Sequence, residues 1–72
     1  MAEQMGALEL ARLRRGLTQR EIAGQLGVTQ QTLSGYEAGR YRPRPARLVK
    51  LAEAYGLSLE EVLAFYADRS AS

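Results

Sequence analysis

Seventy-two residues, 46% of them apolar, allow one small domain whose thin core must be economical or gain stability by pairing with a second copy. The absence of cysteine and histidine excludes disulfide staples and removes the commonest general base and metal ligand. No apolar run approaches the roughly 18 residues of a membrane span, and no signal peptide is recognisable, so the expectation is a soluble cytoplasmic protein without metal or cofactor. Net charge is only +2, yet residues 40–50 carry +5 (Arg40, Arg42, Arg44, Arg47, Lys50) and residues 51–72 carry −3, a segregation that suits a basic face for a polyanion or, more simply, a solvated charge run.

In chain order, residues 1–4 read as a frayed start, and a first helix is expected over about Met5–Arg15. Met5, Leu8, Leu10, Ala11 and Leu13 would bury it on more than one side, and Gly16 would close it. The second helix opens on a capping box, in which the Thr18 hydroxyl and the Glu21 carboxylate each satisfy a backbone N–H of the first turn. Leu17 and Ile22 have the spacing of a hydrophobic staple across that start, and it recurs at Val28/Leu33 and Leu57/Val62. Ile22, Ala23 and Leu26 form an apolar stripe. Gly27 ends the helix and Thr29 caps the next, whose buried side is Leu33 and Tyr36. Two short helices joined this tightly form a helix-turn-helix, and small Ala23 permits their close crossing.

Prolines 43 and 45 make residues 39–45 a loop. Pro45 suits the first position of a fourth helix, where its missing N–H is no loss, and Leu48, Leu51, Ala52 and Tyr55 then keep helical spacing up to Gly56. Ser58 and Glu61 form a second capping box. A fifth helix is expected over about Leu59–Tyr66, with Leu59, Val62, Leu63 and Tyr66 on one face, followed by a disordered tail from Asp68 to Ser72. The whole reads as an all-α, compact five-helix bundle filling residues 5–67, with flexible ends at 1–4 and 68–72.

Gln19, Ala23, Gly27, Val28, Leu33 and Tyr36 stand at fixed spacing within this motif. Gly16-Leu17-Thr18 precedes it, and Glu37, Gly39, Arg40, Leu48, Leu51 and Ala52 follow. On these residues the chain, from about position 8 to 65, resembles the lambda-repressor/Cro-type (XRE) helix-turn-helix family. The resemblance implies that helix 3 is a recognition helix entering the major groove of double-stranded DNA.

Glutamine can meet both the donor and the acceptor on the major-groove edge of adenine, and the first turn of helix 3 exposes two of them. By resemblance, Gln30 and Gln31 occupy base-contacting positions, and Ser34 lies one turn further along. Many relatives carry a base-reaching side chain where this chain has Gly35. Either the glycine lets the helix approach DNA closely, or fewer bases are read from that turn. Gln19, at the start of helix 2, suits a phosphate and in the family also braces the first recognition-helix glutamine. Thr29, Thr32, Arg40, Tyr41, Arg42 and Arg44 complete the candidate backbone contacts, while Arg14, Arg15, Arg20, Arg47 and Lys50 are weaker candidates. The resemblance also pairs Arg12 with Glu37 as a structural ion pair.

The function implied is a sequence-specific transcriptional regulator, most simply a repressor that binds a palindromic operator as a homodimer. Leu59, Leu63, Phe65 and Tyr66 are candidates for the dimer surface or, equally, for the monomer core. Alternatives are an antitoxin or phage switch protein with a protein partner such as a toxin, a contact with RNA polymerase, or a helical protein-interaction module. No catalytic constellation appears, so an enzyme is not expected.

Overall fold

The computed structural model describes the backbone of residues 6–71 and the side chains of residues 6–67; the expectations for residues 1–4, Met5 and Ser72 lie outside these described residues. The described chain forms five helices: α1 (Ala7–Arg14), α2 (Gln19–Leu26), α3 (Gln30–Ala38), α4 (Pro45–Tyr55) and α5 (Leu59–Ala71). The fold is all-α, as the periodicity predicts.

Local chemistry explains most of the boundaries. At α2 the Thr18 hydroxyl accepts from the Glu21 N–H (3.1 Å), and the Glu21 carboxylate accepts from the Thr18 N–H (2.8 Å). Ser58 and Glu61 make the same reciprocal pair before α5, at 3.0 and 2.8 Å. Thr29 caps α3 by accepting from the Thr32 N–H at 3.0 Å. Helix α4 starts with no side-chain cap at Arg44; Pro45 in its first turn removes one N–H that would otherwise need a partner. Gly27 and Gly39 close α2 and α3 in the left-handed region, at φ 72° and 76°, where a Cβ would crowd the following carbonyl. The next N–H then bonds back into the helix, Val28 to the Ala23 carbonyl and Arg40 to the Gly35 carbonyl, both at 3.0 Å.

Leu8, Ile22, Leu33, Leu51, Tyr55 and Val62 are the most deeply buried large side chains, one or more from every helix. Leu17, Val28 and Leu57, the leading members of the three staples, pack half-buried against this core. Helix α2 packs on both α3 and α4, while α5 closes the opposite side against α4 and α1.

The expectations for α1 and α5 are corrected in several respects. Within the described residues helix α1 covers Ala7–Arg14, and it is not buried on several sides: Leu10 and Leu13 are exposed, whereas Leu8 and Arg12 are buried and Ala11 half-buried. Positions 8, 11 and 12 share one face of a helix, and positions 10 and 13 turn away from it. Helix α5 continues to Ala71 instead of ending at Tyr66, so the segment after Asp68 is helical over residues 68–71. Its buried face is Val62, Phe65 and Tyr66, not Leu59, Val62, Leu63 and Tyr66; Leu59 and Leu63 lie on the exposed side. Phe65 and Tyr66 meet edge to face, with ring centroids 4.8 Å apart, and the Tyr66 hydroxyl donates to the Tyr36 carbonyl at 2.9 Å. Both rings therefore belong to the core of the monomer and leave the candidate dimer surface.

Candidate nucleic-acid interface

The interface candidates are carried by α3, by the start of α2 and by the loop between α3 and α4. Burial of Leu33, Tyr36 and Glu37 sets the orientation of α3. That orientation leaves Gln30 and Gln31 exposed on its first turn and Ser34 half-exposed one turn on. The Thr29 hydroxyl donates to the Thr32 hydroxyl at 3.0 Å while accepting from its N–H, so both threonine side chains take part in capping α3.

A buried carboxylate ties these elements together. Glu37 Oε2 accepts from Arg12 Nε at 2.7 Å and from the Tyr55 hydroxyl at 2.5 Å. Its Oε1 accepts from Gln19 Nε2 at 3.0 Å and more distantly from Arg12 Nη2 at 3.4 Å. Arg12 also donates through Nη1 to the Leu17 carbonyl at 2.8 Å, so the guanidinium joins α1, the α1–α2 turn and α3. The side chains of the ion pair are only 8% and 4% exposed, and this shielding makes the loss of one partner costly. The hydrogen bond to Glu37 raises the Arg12 pKa against the opposing effect of burial. Burial first, and then the bond to Glu37, push the Tyr55 phenol well above its ordinary pKa of 10.0, which keeps it a proton donor to the carboxylate.

The network ends at the surface. With Gln19 Nε2 committed to Glu37, Gln19 Oε1 faces outward and accepts from Gln30 Nε2 at 3.5 Å. This long contact favours one direction of donation, in which Gln30 keeps Oε1 and its second N–H for an outside partner. This acceptor–donor pair matches the N6 and N7 edge of adenine.

Arg40, Tyr41, Arg42 and Arg44 are all exposed in the α3–α4 connection, which turns inward at buried Pro43. Among the described residues, the one ion pair is Arg12–Glu37, so the loop arginines keep their charge uncompensated by any close carboxylate. Arg44, Arg47 and Lys50 continue this basic surface along a cleft with Leu26 and Ala46. Arg47 also donates to the Tyr36 hydroxyl at 3.4 Å.

Two features escaped sequence reasoning. Tyr55 looked like a core residue at helical spacing, and only its hydroxyl's need for a buried partner hints at Glu37, 18 positions away. The other is the neighbour of Gly35. The glycine is buried, and a Cβ placed on it would lie 2.2 Å from the Tyr41 hydroxyl and from Cζ of that ring. Tyr41 therefore folds back across α3, its ring edge to face with Tyr36 at 5.6 Å.

No helix among the described residues is long and apolar enough to cross a membrane, and these residues hold no group of three metal-ligating side chains of the His, Cys, Asp or Glu type. Comparison with known proteins agrees with the geometry. The helix-turn-helix family model matches residues 8–62. An uncharacterized HTH-type transcriptional regulator of Sinorhizobium fredii is 47% identical over 55 residues, covering 74% of this chain and 71% of the relative. A second uncharacterized HTH-type transcriptional regulator, from Methanocaldococcus jannaschii, is 33% identical over 61 residues, covering 85% of this chain and 92% of the relative. The cryptic phage CTXphi transcriptional repressor RstR of Vibrio cholerae is 36% identical over 52 residues, covering 72% of this chain and 47% of the repressor. With its five helices and this match over most of its length, the chain belongs to the lambda-repressor/Cro-type (XRE) helix-turn-helix family of DNA-binding transcriptional regulators.

Proposed function

We propose that this regulator is a repressor that binds a palindromic operator as a homodimer, with α3 of each copy in a major groove. The observation that carries the reading is the polarity that the Gln30 amide takes toward Gln19, whose own amide is held by the buried Glu37 carboxylate. An amide already oriented on the protein loses less freedom when it pairs with a base. Gln30 and Gln31 read base edges, with Ser34 beside them. Arg40, Arg42 and Arg44 neutralise phosphates, Tyr41 stands among them, and Gln19, Thr29 and Thr32 bring the helix starts of α2 and α3, with their free N–H groups, to the DNA backbone.

A dimer is invoked because one recognition helix reads too few base pairs, and two-fold copies of this motif read half-sites about 34–36 Å apart. Leu59 and Leu63, 41% and 36% exposed on α5, are the remaining candidates for its surface. Such a protein works in the cytoplasm, on the chromosome. The description of RstR as a phage transcriptional repressor supports the direction of regulation and favours a phage switch protein as the second reading.

The test is selection of bound sequences from random duplex DNA at two salt concentrations, followed by transcription from a promoter carrying the selected site. The expected result is an enriched palindrome with half-sites one helical turn apart and reduced transcription when the protein is present. Salt-sensitive binding without an enriched motif would leave an architectural role, and no binding at low salt would favour a protein-interaction module.

A further inference from the structure

Gly35 stands four residues after Gln31, so the two positions share a face of α3, one turn apart. A glycine there exposes nothing of its own: the position is buried, and the end of the Tyr41 ring fills the place where a side chain would begin. Both the Tyr41 hydroxyl and Cζ lie 2.2 Å from an ideal Cβ at position 35, and Cε1 lies at 2.7 Å. No side chain larger than hydrogen coexists with the ring in this pose. The pose is held from two sides. The Tyr36 ring meets Tyr41 edge to face at 5.6 Å and 78°, and the loop leaves α3 through the Arg40 N–H bonded to the Gly35 carbonyl at 3.0 Å. Tyr41 nonetheless remains 47% exposed, and among the described residues its hydroxyl makes no hydrogen bond.

We infer that Gly35 and Tyr41 form one unit of the reading surface, in which the glycine clears a seat on α3 and the tyrosine hydroxyl reads a base edge there in place of a residue-35 side chain. The inference rests on the reading of α3 as a recognition helix in the major groove. It changes the meaning of the glycine: the turn after Gln31 is not blank, because its contact is supplied by the loop six residues later. A phenol hydroxyl both donates and accepts, so it can meet any base that presents either group in the major groove. Because the clash at Gly35 is with the far end of a flexible, exposed side chain, Gly35→Ala displaces the ring without disturbing the core, and alanine is the better helix former.

The experiment compares wild type, Tyr41→Phe and Gly35→Ala by selection from random duplex DNA and by titration of the wild-type selected site and of random DNA, with thermal unfolding of each protein. Tyr41→Phe is expected to bind the selected site about threefold to tenfold more weakly, to bind random DNA unchanged, and to lose preference at one base pair per half-site. Gly35→Ala is expected to unfold at a midpoint equal to or above wild type and to lose preference at the same base pair. A Tyr41→Phe protein that selects the wild-type motif with wild-type affinity overturns the inference. So does equal weakening on both DNAs, which would make Tyr41 a phosphate contact, and so does loss at different base pairs in the two variants. If wild type enriches no motif, the recognition-helix reading itself fails first and the inference falls with it.

Discussion

Arginine serves two opposite purposes in this small protein. Arg12 is buried with its charge and its donors directed at Glu37 and the Leu17 carbonyl, whereas Arg40, Arg42 and Arg44 are exposed on the α3–α4 loop without a carboxylate partner among the described residues. The buried arginine defines a shape and the exposed ones form a field. A paired charge in a water-poor site holds its neighbours in one arrangement and has little charge left for an outside anion. Unpaired charges at the surface scarcely affect stability, yet they set the salt dependence of contact with a polyanion. The Gln19–Gln30 pair lies at the outer end of the buried network, on the helix-turn-helix that the loop arginines follow in the chain.

The buried arginine is most vulnerable through its partner Glu37. Glu37→Ala leaves Arg12 and Tyr55 buried without their acceptor and is expected to lower folding stability by about 3–5 kcal/mol, measured by urea unfolding. A domain of this size has roughly 4–11 kcal/mol in total, so the variant would be close to unfolding at 37 °C. A change under 1 kcal/mol would show that the network is ornamental.

Tyr55→Phe removes one charge-assisted hydrogen bond and is expected to cost about 1.5–3 kcal/mol at neutral pH. The pH dependence follows from the sign of the shift. The folded phenol has a pKa raised above that of the unfolded chain, so its contribution is complete below pH 10 and falls as pH rises toward the folded value. The stability difference between wild type and Tyr55→Phe should therefore shrink above pH 10. A constant difference from pH 7 to pH 11 would contradict the bond to Glu37.

Gln19→Ala sharpens the connection between hub and surface. Freed from its brace, Gln30 is expected to bind its operator about 0.5–1.5 kcal/mol more weakly, with most of the loss on the selected sequence. Loss shared equally with random DNA would assign Gln19 to a phosphate alone. Arg42→Ala should be the mirror image of Glu37→Ala. Its stability should stay within about 0.5 kcal/mol of wild type, while binding to all sequences weakens and the salt slope falls by about one. An unchanged slope would remove Arg42 from the phosphate contacts.

What was legible in the residues follows the same division between local and tertiary causes. Threonine, serine and glutamate at cap spacing, and Gly27 and Gly56 after apolar stripes, act within one helical turn, and they mark the starts of α2, α3 and α5 and the ends of α2 and α4. The apolar residues of α1 and α5 were harder to read. Leu10, Leu13, Leu59 and Leu63 are as apolar as their buried neighbours, and only the packing of α5 against α1 and α4 decides which face turns inward. Tyr41 over Gly35 and Tyr55 against Glu37 join positions that no helical period connects, so neither pair leaves a pattern in the chain. The amide polarity of Gln30 is likewise tertiary, since it depends on a carboxylate anchored by α1 and α4.

The most direct test of the account is the affinity of wild type and Gln30→Ala for the selected operator and for random duplex DNA in the same buffer. An oriented amide that reads a base predicts a loss of about 1–3 kcal/mol on the operator, unchanged binding to random DNA and relaxed preference at one base pair. Equal loss on both DNAs, or none on either, would contradict it.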